Sequence, residues 1–214
     1  MNTLKINALE SKGSDLYEIS QALRKIPNQK IECINWPDYP YLPYVRFQMA
    51  YNSHNLFLRF HVKESHALAV TSYYNGPVWE DSCCEFFCAF DELGDYNLEV
   101  NCVGVPLLGW TGKNREQVRG KERIMKFLRL WSTLGYKVPV SIEGDVEWEL
   151  IIIMPSEIFF SHKGLIFERG MHFKANFYKC GDKCNVPHFV SWKPIAFPEP
   201  NFHKPEFFGN VVLE

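Results

Sequence analysis

Long stretches of this chain alternate apolar and polar residues with a period of two, and that pattern restricts it to β-structure. Val45, Phe47 and Met49 alternate with Arg46 and Gln48, and Leu56, Leu58, Phe60 and Val62 alternate with Arg59 and His61. Asn52-Ser53-His54-Asn55 lies between them and supplies turn residues, so the two segments predict a hairpin. The period returns where Leu98, Val100 and Cys102 alternate with Asn97, Glu99 and Asn101. It returns again where Phe173, Ala175 and Phe177 alternate with His172, Lys174, Asn176 and Tyr178. Residues 83–90 read as an apolar strand interrupted by Glu85 and joined to 96–103 through 91–95. Residues 138–142 and 146–154 predict a hairpin around Glu143-Gly144-Asp145, and 189–192 and 210–213 predict short closing strands.

Helical signals are few. Residues 14–26 place Leu16, Ile19, Leu23 and Ile26 at near-helical spacing, and 155–159 suit a single turn. Residues 36–43 hold three prolines and predict an extended loop, while the charged run 111–123 predicts a surface loop or a short solvated helix. The expected fold is therefore all-β: an antiparallel β-sandwich of jelly-roll type with minor short helices.

The length of 214 residues, with no internal repeat or Gly/Ser linker, predicts one domain over 1–214, with 1–42 as an N-terminal extension and loop packed on it. A net charge of -2 gives no electrostatic reason to expect nucleic acid or an anionic membrane as partner. No apolar run reaches transmembrane length, and no export signal is visible at the start. Seven cysteines, an odd and irregularly spaced set, predict reduced thiols used as small core residues. Aromatic residues make up 15% of the chain, which suits strands and binding surfaces alike.

Four segments, in order, resemble the family 9 carbohydrate-binding modules. They are Val45-Arg46-Phe47-Gln48-Met49-Ala50-Tyr51 with Asn55-Leu56-Phe57-Leu58-Arg59-Phe60; Val78-Trp79-Glu80-Asp81-Ser82-Cys83-Cys84-Glu85-Phe86-Phe87; Tyr96-Asn97-Leu98-Glu99-Val100-Asn101; and Phe202-His203-Lys204-Pro205-Glu206-Phe207-Phe208-Gly209-Asn210-Val211. The resemblance spans about residues 43–214 and implies a β-sandwich that binds oligosaccharide or polysaccharide in a cleft between two aromatic rings. It further implies a grip on the reducing end of glucan and xylan chains, bound calcium, and work outside cells beside polysaccharide-degrading enzymes such as endoxylanases. The first clamp ring falls on Trp79 and the second, usually Trp, on Phe202. The signature carboxylate falls on Glu85. A position that is often Arg in the family is Glu99 here, a reversal of charge where hydroxyls are recognised.

The residue types suit a sugar, whose apolar C–H face stacks on a ring and whose hydroxyls meet charged or amide groups. Trp79 follows a Gly-Pro loop, and Glu99 shares a strand face with Asn101 and Asn97. Asn176 extends that polar surface, and Trp110 offers another ring. The expected ligand-binding set is thus Trp79, Glu85, Glu99, Asn101, Trp110, Asn176 and Phe202. Against it stand ordinary structural roles: Glu85 paired with Arg46 or Arg59, and the rings packed as core. Asp81 and Ser82 are expected to fix loop geometry through local backbone bonds. Trp131, Trp148 and Trp192 read as core, and Tyr39, Tyr41 and Tyr44 as candidates for a cleft edge.

Three rival chemistries are legible. Cys180, Cys184 and His188 have zinc-ligand character. Glu85 and Glu99, if on neighbouring strands, supply the two carboxyls of a glycan-processing hydrolase. Met49, His61 and His172 lie on strands and offer haem ligands of the kind used by related, DOMON-like sandwiches.

Overall fold

The computed structural model of the protein describes residues 3–10 and 15–214. Its strands, in chain order, begin with β1 (Leu4–Ala8), which precedes helix α1 (Leu16–Leu23). Then come β2 (Gln29–Lys30), β3 (Cys33–Ile34), β4 (Tyr44–Tyr51), β5 (Asn55–Ala69), β6 (Cys83–Ala89), β7 (Gly94–Asn101), β8 (Pro106–Gly112) and β9 (Gln117–Arg119). A short α2 (Glu122–Met125) precedes β10 (Arg129–Ser132), β11 (Val140–Pro155), β12 (His172–Cys180), β13 (Phe189–Ser191) and β14 (Gly209–Leu213). Among the described residues no helix is long and apolar enough to cross a membrane.

Hydrogen bonding runs β10-β11-β5-β4-β1-β14-β12-β6-β7-β8-β9, so one curled sheet supplies both layers of a sandwich. The fold at the centre is β1. Its Leu4, Lys5 and Ile6 pair with β14, and its Asn7 and Ala8 with β4, in parallel register each time. The other pairings are antiparallel. The layers meet through Phe47 of β4 and Phe177 of β12, whose rings stack at 3.8 Å. Inward side chains alternate along each strand: Cys84, Phe86 and Cys88 of β6, and Leu150, Ile152 and Met154 of β11, share the main core.

The unbroken apolar run of β11 has its cause in what covers its outer face. Ile151 and Ile153 pack there with Ala50 and Phe57 against Ile19 and Leu23 of α1. A strand buried on both faces needs no polar side chain on either. Helix α1 begins where Asp15 caps it, its carboxylate accepting from Tyr17 N at 2.7 Å and Glu18 N at 3.3 Å. The expected helix over 14–26 is thus present in part; Ser14 lies outside the described residues.

The other layer is also doubly covered. Outward Cys83 and Phe87 of β6, Leu107 of β8, and Tyr178 and Cys180 of β12 pack under a second apolar cluster. Trp36, Ile195, Phe202 and Phe208, from loops and the approach to β14, close it. All seven cysteines are free, and all but Cys33 are buried.

Two expectations need correction. Val140–Pro155 form one long strand where a hairpin is expected over 138–154. Both halves pair with β5, with a register shift between Glu143 and Val146. Gly144, at a φ of 97°, lets the chain kink there and continue because β5 is long enough to partner both halves. The charged run 111–123, expected as a loop or a short solvated helix, also holds a strand. It holds the turn from β8 into the edge strand β9, and then α2.

Candidate functional site

On the outer face of β12, β6, β7 and β9 a pocket of about 320 Å³ opens, within the range of small-ligand sites. Its lining brings together Trp79, Glu85, Glu99 and Phe202, and adds Arg119, Asp182, His203, Asn201, Phe87, Phe189, Cys180 and Pro200. Period-two alternation places the acids. Glu85 sits between outward Cys83 and Phe87, and Glu99 between outward Asn97 and Asn101. The β6–β7 register sets Glu85 directly opposite Glu99.

Trp79 stands on a short 3-10 turn, Val78–Glu80, that precedes β6. The residue keeps 36% of its surface exposed, high for a tryptophan. The loop after β12 braces the turn. Asp182 N and Lys183 N donate to Trp79 O and Glu80 O at 3.3 and 2.9 Å, and Lys183 pairs with Glu80 at 2.8 Å. Phe202 is only 8% exposed and lies flat on Tyr178, rings 4.2 Å apart. It lines the pocket with one face already covered. The His203 ring lies 5.0 Å from that of Phe87, and Asn201 Oδ1 accepts from His203 N at 2.9 Å.

The floor is short of positive charge. Glu85 is 2% exposed; its Oε1 accepts the Cys180 thiol at 3.0 Å, and its Oε2 is buried without a hydrogen-bond partner. Among the described residues no arginine pairs with it: Arg59 is engaged by Glu149 and Gln48, and Arg46 lies over the Tyr44 ring. Burial, then the nearby Glu99 charge, pushes Glu85 well above the usual carboxylate range. Burial lifts Glu99 to about 7, although Asn97 Nδ2 donates to it at 2.7 Å and Arg119 draws it down. Burial and then Glu80 lift Asp182 to about 6. Burial and then Arg119 hold His203 below its ordinary range, so it adds no cation.

Arg119 was hidden in the charged run that reads as surface. It reaches the pocket because Gly109 separates it from Asn97 in the β7–β8–β9 register. A Cβ at Gly109 would stand 2.2 Å from Asn97 Oδ1 and 3.0 Å from an Arg119 guanidinium nitrogen. The bare backbone of β8 is what lets the two side chains meet across it.

Three expected site residues are elsewhere. Asn101 is wholly buried: its Nδ2 donates to Asp81 Oδ2 and Thr71 O, and its Oδ1 accepts from Val105 N. Asn176 is likewise buried, exchanging hydrogen bonds with the backbone of Lys193. Both share the outward face, yet loops cover that face where they stand. Trp110 packs against the main core, its Nε1 buried without a partner. Asp81 and Ser82 do fix loop geometry, but at long range. The Asp81 carboxylate accepts from Val70 N and Thr71 N, and Ser82 Oγ bridges His66 O and Leu68 N. Tyr39, Tyr41 and Tyr44 do not line the pocket: Tyr39 packs on Phe189, Tyr41 Oη accepts from Ser65 N, and Tyr44 meets Arg46 and His61.

The metal expectations meet the same test. Calcium takes six to eight oxygen ligands. Among the described residues, the group of three potential ligands converging within 4.8 Å is Cys83, Glu85 and Cys180. Two thiols and one carboxyl do not fit calcium. Burial pushes the Cys83 thiol up to about 12 and Cys180 well above its usual value, which keeps both protonated. The zinc set also fails to assemble, because its members serve different partners. Cys180 bonds Glu85, Cys184 meets Ser82 Oγ at 3.4 Å, and His188 Nε2 accepts from Lys179 Nζ at 2.7 Å. The haem set is dispersed: Met49 is in the core, His61 pairs with Glu147 on the surface, and His172 is exposed at the start of β12.

Fold and pocket together give a β-sandwich with a hollow on its outer face, where an exposed indole and a second ring stand over a buried acidic floor. The model of carbohydrate-binding family 9 matches residues 17–213, and the chain belongs to that family. Among solved structures it is similar to a protein of Bacteroides uniformis ATCC 8492 to which carbohydrate binding is attributed. The two are 35% identical with a TM-score of 0.94, over 100% of this chain and 99% of that one. It also shares its fold with a family 9 module of Caldicellulosiruptor kristjanssonii in complex with glucose, at 10% identity and a TM-score of 0.62 over 98% and 95% of the two chains. A module from the same organism in complex with cellotriose gives 12% identity and a TM-score of 0.60 over 100% and 94%. No curated protein is similar in sequence.

Proposed function

We propose that this pocket binds a terminal sugar ring of a glucan- or xylan-type oligosaccharide and carries out no chemistry on it. The ring would lie against the Trp79 indole, with hydroxyls donating to Glu85 and Glu99 and accepting from Arg119. The observation that carries the reading is the meeting of an exposed indole with a buried carboxylate oxygen that has no partner. An unsatisfied acceptor of that kind is costly in a closed interior and useful at a pocket floor. The glucose- and cellotriose-bound modules of the same family support it.

The geometry favours binding over hydrolysis. A glycosidase needs two carboxyls pushed apart in pKa and flanking one bond. Here Glu85 and Glu99 are neighbours on one sheet face, both pushed in the same direction. Calorimetric titration with glucose and with cello- and xylo-oligosaccharides tests the reading. Binding at millimolar sugar or better, lost in Trp79→Ala, is expected. Absence of binding at those concentrations refutes it, and hydrolysis that disappears in Glu85→Gln replaces it with the enzymatic reading.

A further inference from the structure

We infer that the pocket prefers a sugar carrying a protonated primary amine, an amino sugar, over the neutral sugar of the same ring; this rests on the sugar-binding reading above. The argument is one of unmatched charge. Three carboxyl groups, Glu85, Glu99 and Asp182, line the cavity against a single permanent cation, Arg119. The groups facing the acids from each adjoining strand do not make up the difference. From β12 come the neutral Tyr178 and the Cys180 thiol; the intervening Lys179 points into the sandwich and is spent on Glu64 at 2.7 Å. From β6 comes the protonated Cys83 thiol, and from β7 the neutral amide of Asn97. At the rim, Lys183 is taken by Glu80, and His203 is kept neutral.

Burial displaces all three acids toward their protonated forms, and a neighbouring carboxylate adds to the displacement in each case: Glu99 for Glu85, Asp182 for Glu99 and Glu80 for Asp182. A cation placed among them favours their ionised forms and pairs with the charge that results. A ligand ammonium would bring the missing charge. It would also bring three N–H donors to a site whose Glu85 Oε2 has none. A neutral hydroxyl can donate once and leaves the charge deficit in place. Charge-assisted bonds are about twice as strong as neutral ones, which sets the expected gain at about tenfold in affinity. The apolar side of the pocket, Trp79 and Phe87 with Phe202, serves the C–H face of either sugar and does not discriminate between them.

The experiment is a parallel calorimetric titration of the full chain with glucose, glucosamine and N-acetylglucosamine at pH 7 and low salt. Glucosamine is expected to bind about tenfold more tightly than glucose. N-acetylglucosamine, similar in shape without the charge, is expected to gain nothing. In Glu99→Gln the ratio of the two affinities should fall toward one even if both weaken. Equal affinity for glucose and glucosamine overturns the preference and leaves the sugar-binding reading standing, as does a preference undiminished in Glu99→Gln. Failure of all three sugars to bind overturns both.

Discussion

Glu99 carries the clearest pH signature in the molecule. A carboxyl whose pKa rises on folding opposes folding once the pH passes its unfolded value, and the penalty grows until the folded value is reached. For Glu99 that window runs from its ordinary 4.5 to about 7. Glu99→Gln keeps an acceptor for Asn97 and removes the charge. Thermal melts should show it stabilising at pH 8, by at most about 3 kcal/mol, and far less at pH 5. An equal shift at both pH values would contradict the assignment. Asn101, two residues on, should behave oppositely. Asn101→Ala strands Val105 N and Thr71 O and should cost about 2 kcal/mol in denaturant melts, with sugar affinity unchanged. The two residues also mark how far single positions are legible. Period-two alternation puts Asn97, Glu99 and Asn101 on one face. Which of them meets the pocket depends on loops that fold over that face from distant parts of the chain, those of Thr71 and Asp81 over Asn101 and those of Trp36, Ile195 and Phe202 over the neighbouring cluster, and no local pattern reports those.

At the scale of elements, β9 is what brings Arg119 to the pocket. It is three residues long, fully exposed in its burial pattern, and embedded in charge, so its sequence resembles solvent-facing loop. What identifies it in the structure is register: Asn97, Gly109 and Arg119 align across β7, β8 and β9. Gly109→Ala therefore tests the element as a unit. Its methyl would collide with Asn97 Oδ1 and crowd Arg119, so titration should show sugar affinity falling several-fold while the far-ultraviolet spectrum stays unchanged. Unaltered affinity would mean that Arg119 does not depend on that approach. Strands with clear alternation, β4, β5, β6, β7 and β12, were readable from residues alone. The bulge in β11 was not, because Glu143-Gly144-Asp145 suits a reversal as well as a kink, and only the length of β5 decides between them.

For the whole molecule, the joint between layers is partly ionic. Lys179 of β12, wholly buried, reaches Glu64 of β5 at 2.7 Å, and Trp148 of β11 donates to the same carboxylate at 2.7 Å. Burial works against the lysine's charge, but Glu64 outweighs it and the pKa rises. Lys179→Met leaves a buried carboxylate unpaired and should destabilise by about 3 to 5 kcal/mol in denaturant melts, while Lys179→Met with Glu64→Gln should recover part of the loss. The sandwich class follows from two-faced strands; this pair, and the crossing of β1 between layers, arise from contacts distant in sequence and leave no periodic trace. The proposed function depends on the layers holding one hollow in shape, and a crystal structure of the protein soaked in glucose examines that directly. The sugar should be seen with its C–H face against the Trp79 indole and a hydroxyl within hydrogen-bonding distance of Glu85 Oε2. Sugar ordered elsewhere on the surface, with this hollow filled only by water, would contradict the account.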